Sequence, residues 1–152
     1  MGYSIEHRDA FTVSAATIPV SPPFDQIPAQ KKAFWAKIKT DGTFAALKAT
    51  NPDGIYSVNV ADQNGMTFGV GVVTGKAVPG TTAIPFAAGD YLVLNASGAH
   101  PGDVSADLEN QAFQQVLPTL DGYKYVGGPN CIVQRFDGHA WIGQMLVPLV
   151  TS

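Results

Sequence analysis

Residues 84–94, IPFAAGDYLVL, read as a strand, a glycine-containing turn and a second strand. Near the other end, residues 141–149, WIGQMLVPL, form an apolar strand carrying one amide, Gln144, in its middle. A strand that stays apolar for several residues is buried, and a polar group inside it must find a partner. Gln144 is therefore either hydrogen-bonded within the core or turned towards a pocket. Ala140, Ile142 and Leu146 share its side of the strand.

Working outward, residues 3–8 and 11–20 read as strands separated by His7-Arg8-Asp9, and Ser21-Pro22-Pro23 ends the second. Pro28 suits the first turn of a helix whose Ile27, Phe34, Trp35 and Ile38 share a face. Asp41-Gly42 breaks it, and Thr43–Ala49 reads as a short second helix. Ile55–Ala61 and Met66–Lys76 are strands joined through Asn64-Gly65, a hairpin signal. In the second of these, Met66, Phe68, Val70 and Val72 point one way and Gly69, Gly71 and Gly75 the other. A glycine-lined face leaves room for a helix, another backbone or a ligand.

Beyond Val78-Pro79-Gly80 the order repeats. Thr82–Phe86 and Tyr91–Ser97 are strands, and Ser105 is the expected cap of a helix with Val104, Leu108, Ala112 and Val116 as its apolar stripe. Pro118 is expected to end that helix, and Cys131–Asp137 and His139–Leu149 to form a hairpin around Asp137-Gly138. The pattern predicts an α+β fold of two strand–helix–strand–strand units, about 1–78 and 79–152, within a single domain. Such units place two main helices on one side of an antiparallel sheet and leave a cleft where the halves meet.

Composition narrows the function classes. The chain has 152 residues, of which 45% are apolar and 14% charged, as in a compact globular chain. A net charge of −3 gives no general reason to bind nucleic acid, and no run of eighteen apolar residues is present to cross a membrane. A single cysteine, Cys131, and the absence of a secretory pattern at the N-terminus suit a cytoplasmic protein. His7, His100 and His139 are scattered without metal-ligand spacing, and no cofactor motif is found; Gly69–Gly75 has the wrong spacing for a nucleotide loop. No nucleophile elbow accompanies the serines, so no catalytic residue is assigned.

The IPFAAGDYLVL segment is similar to the Ile-Pro-Ala-Gly-x-Tyr segment of the GyrI-like family, the effector-binding domain of bacterial multidrug-responsive regulators. The closing Gln-Met-Leu-Val-Pro is similar to that family's Glu-Ile-Tyr-Ile-Pro, and the helix with Phe34-Trp35 falls where the family has an aromatic-containing helix. The resemblance covers nearly the whole chain. It implies two βαββ units with a pocket at their junction, and a role in binding bulky, flat, hydrophobic and cationic compounds for xenobiotic sensing or sequestration. The family's pocket glutamate corresponds to Gln144, and an amide neither neutralises a cation nor takes a proton. That departure weighs against hydrolysis of strained-ring compounds, the first alternative function, and neither Glu6 nor Glu109 is an obvious substitute. The family's fusion to DNA-binding helices is not visible here, so the chain reads as a stand-alone member or an excised domain, Met1 favouring the former.

The expected ligand-binding set is Gln144, Trp141, Ile142, Leu146, Trp35, Tyr56, Asn59, Met66, Phe68 and Tyr91. The rings supply contact area, methionine supplies adaptability, and the amides supply directional hydrogen bonds. For each ring, ordinary core packing is the competing account, and for Asn59 a solvated strand face. Lys31, Lys32, Lys37, Lys39 and Lys48 crowd the first helical segment and read as a solvated face. A protein partner such as DNA gyrase, the second alternative, would use that surface.

Overall fold

The computed structural model describes residues 2–62 and 65–152. Strands β1 (Tyr3–Arg8) and β2 (Phe11–Val20) precede helices α1 (Ile27–Thr40) and α2 (Thr43–Thr50). Strands β3 (Ile55–Asp62), β4 (Gly65–Val73), β5 (Thr82–Phe86) and β6 (Gly89–Gly98) follow. Helix α3 (Pro101–Asn110) leads to β7 (Tyr123–Lys124), β8 (Asn130–Phe136), β9 (Trp141–Pro148) and β10 (Val150–Thr151). The fold is α+β. β7 and β10 pair with each other, and the remaining strands make one eight-stranded antiparallel sheet in the order β1-β6-β9-β8-β3-β4-β2-β5.

That order is symmetric about the β8–β3 pair. β8 answers to β3, β9 to β4, β6 to β2 and β1 to β5. The outermost strands are exchanged. β1 crosses to pair with β6, Tyr3 opposite Leu94, and β5 crosses to pair with β2, Phe86 opposite Phe11. The quoted stretch 84–94 is therefore a corner and not a hairpin, because its two strands pair with other partners.

Both helical layers cover one face of the sheet. Phe34 and Ile38 of α1 and Leu47 of α2 pack on Ala16, Val20, Phe68, Val70 and Val72. Val104 and Leu108 of α3 pack on Leu92, Leu94, Ile132, Met145 and Val147. On this same face, at the seam between the halves, Asn59 of β3 lies opposite Asn130 of β8, two residues from Ile132.

The opposite face folds in on itself. Phe11 on β2 and Tyr91 on β6 are five strands apart in the sheet order, a separation of about 24 Å if the sheet were flat. Their ring centroids are 6.5 Å apart. The sheet is thus a deep curl, with the helices outside and Val13, Ala15, Val58, Ile84, Phe86, Tyr91, Val93, Cys131 and Leu146 buried inside. Ala87 and Ala88, the only residues between β5 and β6, tie one edge strand to the second strand from the opposite edge. The glycine face of β4 serves the same curvature. A Cβ on Gly71 would collide with the Ser14 carbonyl and lie 2.7 Å from Ala15 Cα, so the room left by glycine is filled by the backbone of β2.

Several local expectations are corrected. Ser105 does not cap α3: the helix starts at Pro101, whose fixed φ suits a first turn, and Ser105 Oγ lies inside it, accepting from Gln134 Nε2 at 2.7 Å. The helical path runs past α3 through a wide π turn, 111–116, and a 3₁₀ turn containing Pro118, so that Ala112 and Val116 stay buried. β4 ends at Val73, short of Lys76, and β9 begins at Trp141 because Asp137 Oδ1 accepts from the amides of His139 and Ala140 and draws them into the turn. The Asn64-Gly65 hairpin signal falls in part on residues 63 and 64, outside the described residues. Asp62 and Gly65 on either side of them are paired.

Candidate functional site

The mouth of the curl is built by one transverse row of the sheet. Register places Tyr56 of β3 beside Val133 of β8, Val133 beside Gln144 of β9, and Gln144 beside Asn95 of β6. Since side chains alternate along a strand, the four point to the inner face with Leu146 and Cys131 of the next row. Gln144 is half-buried and donates from Nε2 to Asn95 Oδ1 at 3.1 Å, a side-chain pair open to solvent.

Tyr56 of that row belongs to a group of four rings. Phe11 stacks on Phe86 with centroids 4.6 Å apart and planes 6° from parallel, and it meets Tyr56 at 6.3 Å and Tyr91 at 6.5 Å. Phe86 and Tyr91 are buried, the latter anchored by a hydroxyl donated to the Ala87 carbonyl at 2.7 Å, whereas Phe11 and Tyr56 are half-buried. Along the edge, Ser4, Glu6 and Arg8 of β1 also face inward, opposite Val93, Tyr91 and Gly89. Glu6 accepts from the Ser4 hydroxyl at 2.6 Å and from the Arg8 guanidinium at 3.1 Å.

The electrostatics favour uncharged groups in the interior. Burial pushes the Tyr56 and Tyr91 phenols up, with the neighbouring Cys131 adding to both. Burial also pushes the Cys131 thiol up to about 12, so it stays protonated and inert near neutral pH. The Arg8 charge reaches in and pulls in the opposite direction on Tyr56 and Cys131. The Ser4 hydroxyl, more than Arg8, holds the Glu6 carboxyl below its usual range. This face supplies flat apolar contact area, an amide pair and a guanidinium.

The structure divides the expected set between two faces. Gln144, Ile142, Leu146, Tyr56 and Tyr91 belong to the inner face. Trp141, Trp35, Asn59, Met66 and Phe68 belong to the helix side. Trp141 packs on the α3 core and against Phe136 at 5.4 Å. Trp35 meets Phe44 edge-on at 5.9 Å under the Lys39 ammonium, and Phe68 lies beneath Phe34. Asn59 and Met66 line a separate small recess. Sequence reasoning passed over Phe11, Phe86, Arg8 and Asn95. The parity of Ile84 and Phe86 around the short Ala87-Ala88 link was the available signal, since it puts Phe86 and Tyr91 on one inner surface once the corner is recognised.

Residues 4–149 match the family Cass2, the integron-associated effector binding protein. Among solved structures, the chain is similar to SAV2435 bound to tetraphenylphosphonium, with 18% identity, a TM-score of 0.81, and coverage of 99% of this chain and 94% of that one. It is similar to the integron cassette protein VCH_CASS2 from the mobile metagenome of Vibrio cholerae, with 16% identity, a TM-score of 0.71, and coverage of 98% and 96%. It is also similar to the EcmrR C-terminal domain, with 12% identity, a TM-score of 0.56, and coverage of 99% and 98%. No match is found among the curated proteins.

Proposed function

The chain belongs to the Cass2 family of integron-associated effector binding proteins, and we propose that it binds a flat, hydrophobic, aromatic small molecule inside the curl. The act is sensing or sequestration of a xenobiotic, with no chemical step. One observation carries the reading: the half-buried rings of Phe11 and Tyr56 border an otherwise buried aromatic cluster, on the same sheet face as the Gln144–Asn95 amide pair. Rings provide area that tolerates many ligand shapes, and the amides provide direction. The tetraphenylphosphonium-bound neighbour supports a ligand that carries aromatic rings. The working set is Phe11, Tyr56, Tyr91, Ile142, Gln144 and Leu146. The helix-side Trp35, Trp141 and Phe68 support the scaffold.

Fluorescence anisotropy of the neutral dye Nile red tests this on the intact chain. Tyr56→Ala and Gln144→Ala are expected to weaken binding by about three- to tenfold, the equivalent of one aromatic or hydrogen-bond contact. Trp35→Phe should leave it unchanged. Weakening by the Trp35 substitution and not by the inner-face ones would overturn the assignment.

A further inference from the structure

A second feature lies outside the curl, on the helix side of the seam. A recess of about 70 Å³ is lined by Val20, Ile27, Lys31, Asn59, Met66 and Asn130, among others. Lys31 enters it from the second turn of α1, half-buried, with Nζ 4.9 Å from the centre of the Phe68 ring. An ammonium only donates, so Asn59 must offer it an oxygen, and Lys31 Nζ donates to Asn59 Oδ1 at 2.7 Å. That fixes every later link. Asn59 Nδ2 donates to Asn130 Oδ1 at 3.3 Å, Asn130 Nδ2 donates to the Tyr125 hydroxyl oxygen at 3.2 Å, and that hydroxyl donates to the Gly128 carbonyl at 3.0 Å.

The chain of bonds begins at a cation, ends at a carbonyl, and joins both halves across β3 and β8. It satisfies Asn130, the buried polar residue among those described. It uses one N–H of the ammonium and leaves two. Among the described residues, the ion pairs within 4 Å are His7–Asp90 and Arg8–Glu6, so no carboxylate balances Lys31 at contact distance. Glu109 on α3 acts on it only from further away, and burial is the larger influence, lowering its affinity for its proton.

We infer that this recess is an anion subsite that takes the carboxylate of a small organic acid. The two remaining Lys31 N–H groups would hold the carboxylate oxygens, and Val20, Ile27 and Met66 would cover a short alkyl part. A volume of about 70 Å³ admits a small carboxylate and leaves no room for a bulky one. A phosphate dianion would need more than the one cation present. This site is independent of ligand binding in the curl.

The test is propionate titration of the intact chain at constant ionic strength, followed through the side-chain amide resonances of Asn59 and Asn130, with propionamide as the uncharged match. Saturable shifts with propionate and none with propionamide are expected. Lys31→Met should weaken propionate at least tenfold, and Lys31→Arg should retain part of the binding. Nile red anisotropy on the same variants should be unchanged, which separates this site from the curl and reports an intact fold. Equal binding of propionamide, undiminished binding by Lys31→Met, or no saturation by 100 mM propionate would each overturn the inference.

Discussion

Phe11 and Tyr91 lie 6.5 Å apart between ring centroids although four strands lie between theirs in the sheet order. This contact spans the curl between two strands that do not pair with each other. Phe11→Ala should cost about 2–4 kcal/mol, a little below the about 3–5 kcal/mol of a fully buried ring because Phe11 is half-buried. Urea unfolding would measure it. The emission of Trp35 and Trp141, both on the helix side, should keep its native position below the transition.

Charge selection in the curl should follow Arg8. Its guanidinium is the charge felt by Tyr56 and Cys131, while Glu6 is tied to Ser4 and Arg8. Tetraphenylborate and tetraphenylphosphonium share a shape and differ in sign, so calorimetry with both isolates this effect. The borate is expected to bind more tightly. Arg8→Gln should shrink the ratio, and Gln144→Glu should invert it by placing an unpaired carboxylate beside Asn95 on the inner face. A wild-type preference for the phosphonium would refute the role given to Arg8.

Gly71→Ala is expected to be severe, because the new methyl meets the Ser14 carbonyl and Ala15 Cα, which belong to the backbone and cannot rotate away. A loss of more than about 3 kcal/mol, or failure to fold, is the expected outcome. Gly75→Ala, with nothing within 4 Å, is the matched control and should be near neutral. Parallel thermal melts compare the two.

Cys131 should weaken the fold at alkaline pH. Its thiol is raised to about 12 in the folded chain from an ordinary 9.0, so the unfolded chain gives up the proton first. The stability it contributes is complete below about pH 9 and is lost as pH rises towards 12, amounting to about 2 kcal/mol by pH 10.5. Tyr56 and Tyr91 act with the same sign, whereas Lys31, lowered in the fold, acts against it. Cys131→Ala should flatten the slope of stability between pH 8 and pH 10.5, and an unchanged slope would mean the thiol is not responsible.

Local pattern was enough to place most elements. Alternation located β2, β3, β6 and β9, and the 3.6-residue spacing of Phe34 and Ile38 located the buried face of α1. Alternation says which residues share a side, and it correctly grouped Gln144, Ile142 and Leu146. It does not say which side the helices cover or how far the sheet bends. Tyr56 and Trp35 therefore looked alike as aromatic candidates, although one lies in the curl and the other beneath Lys39. The corner at Ala87-Ala88 was hidden for the same reason. A turn between two apolar strands looks identical whether they pair with each other or with strands elsewhere in the chain.

The exchange of outer strands bears on how this chain reaches its fold. Tyr3 is synthesised well before Leu94, its backbone partner. The N-terminal strand must wait unpaired until much of the second half has been synthesised. Its exposed polar alternation, with Ser4, Glu6 and Arg8 on one side, suits that interval because it gives other chains little apolar surface to add to. A chain cut between the halves would give two fragments, each carrying an outer strand whose partner lies in the other.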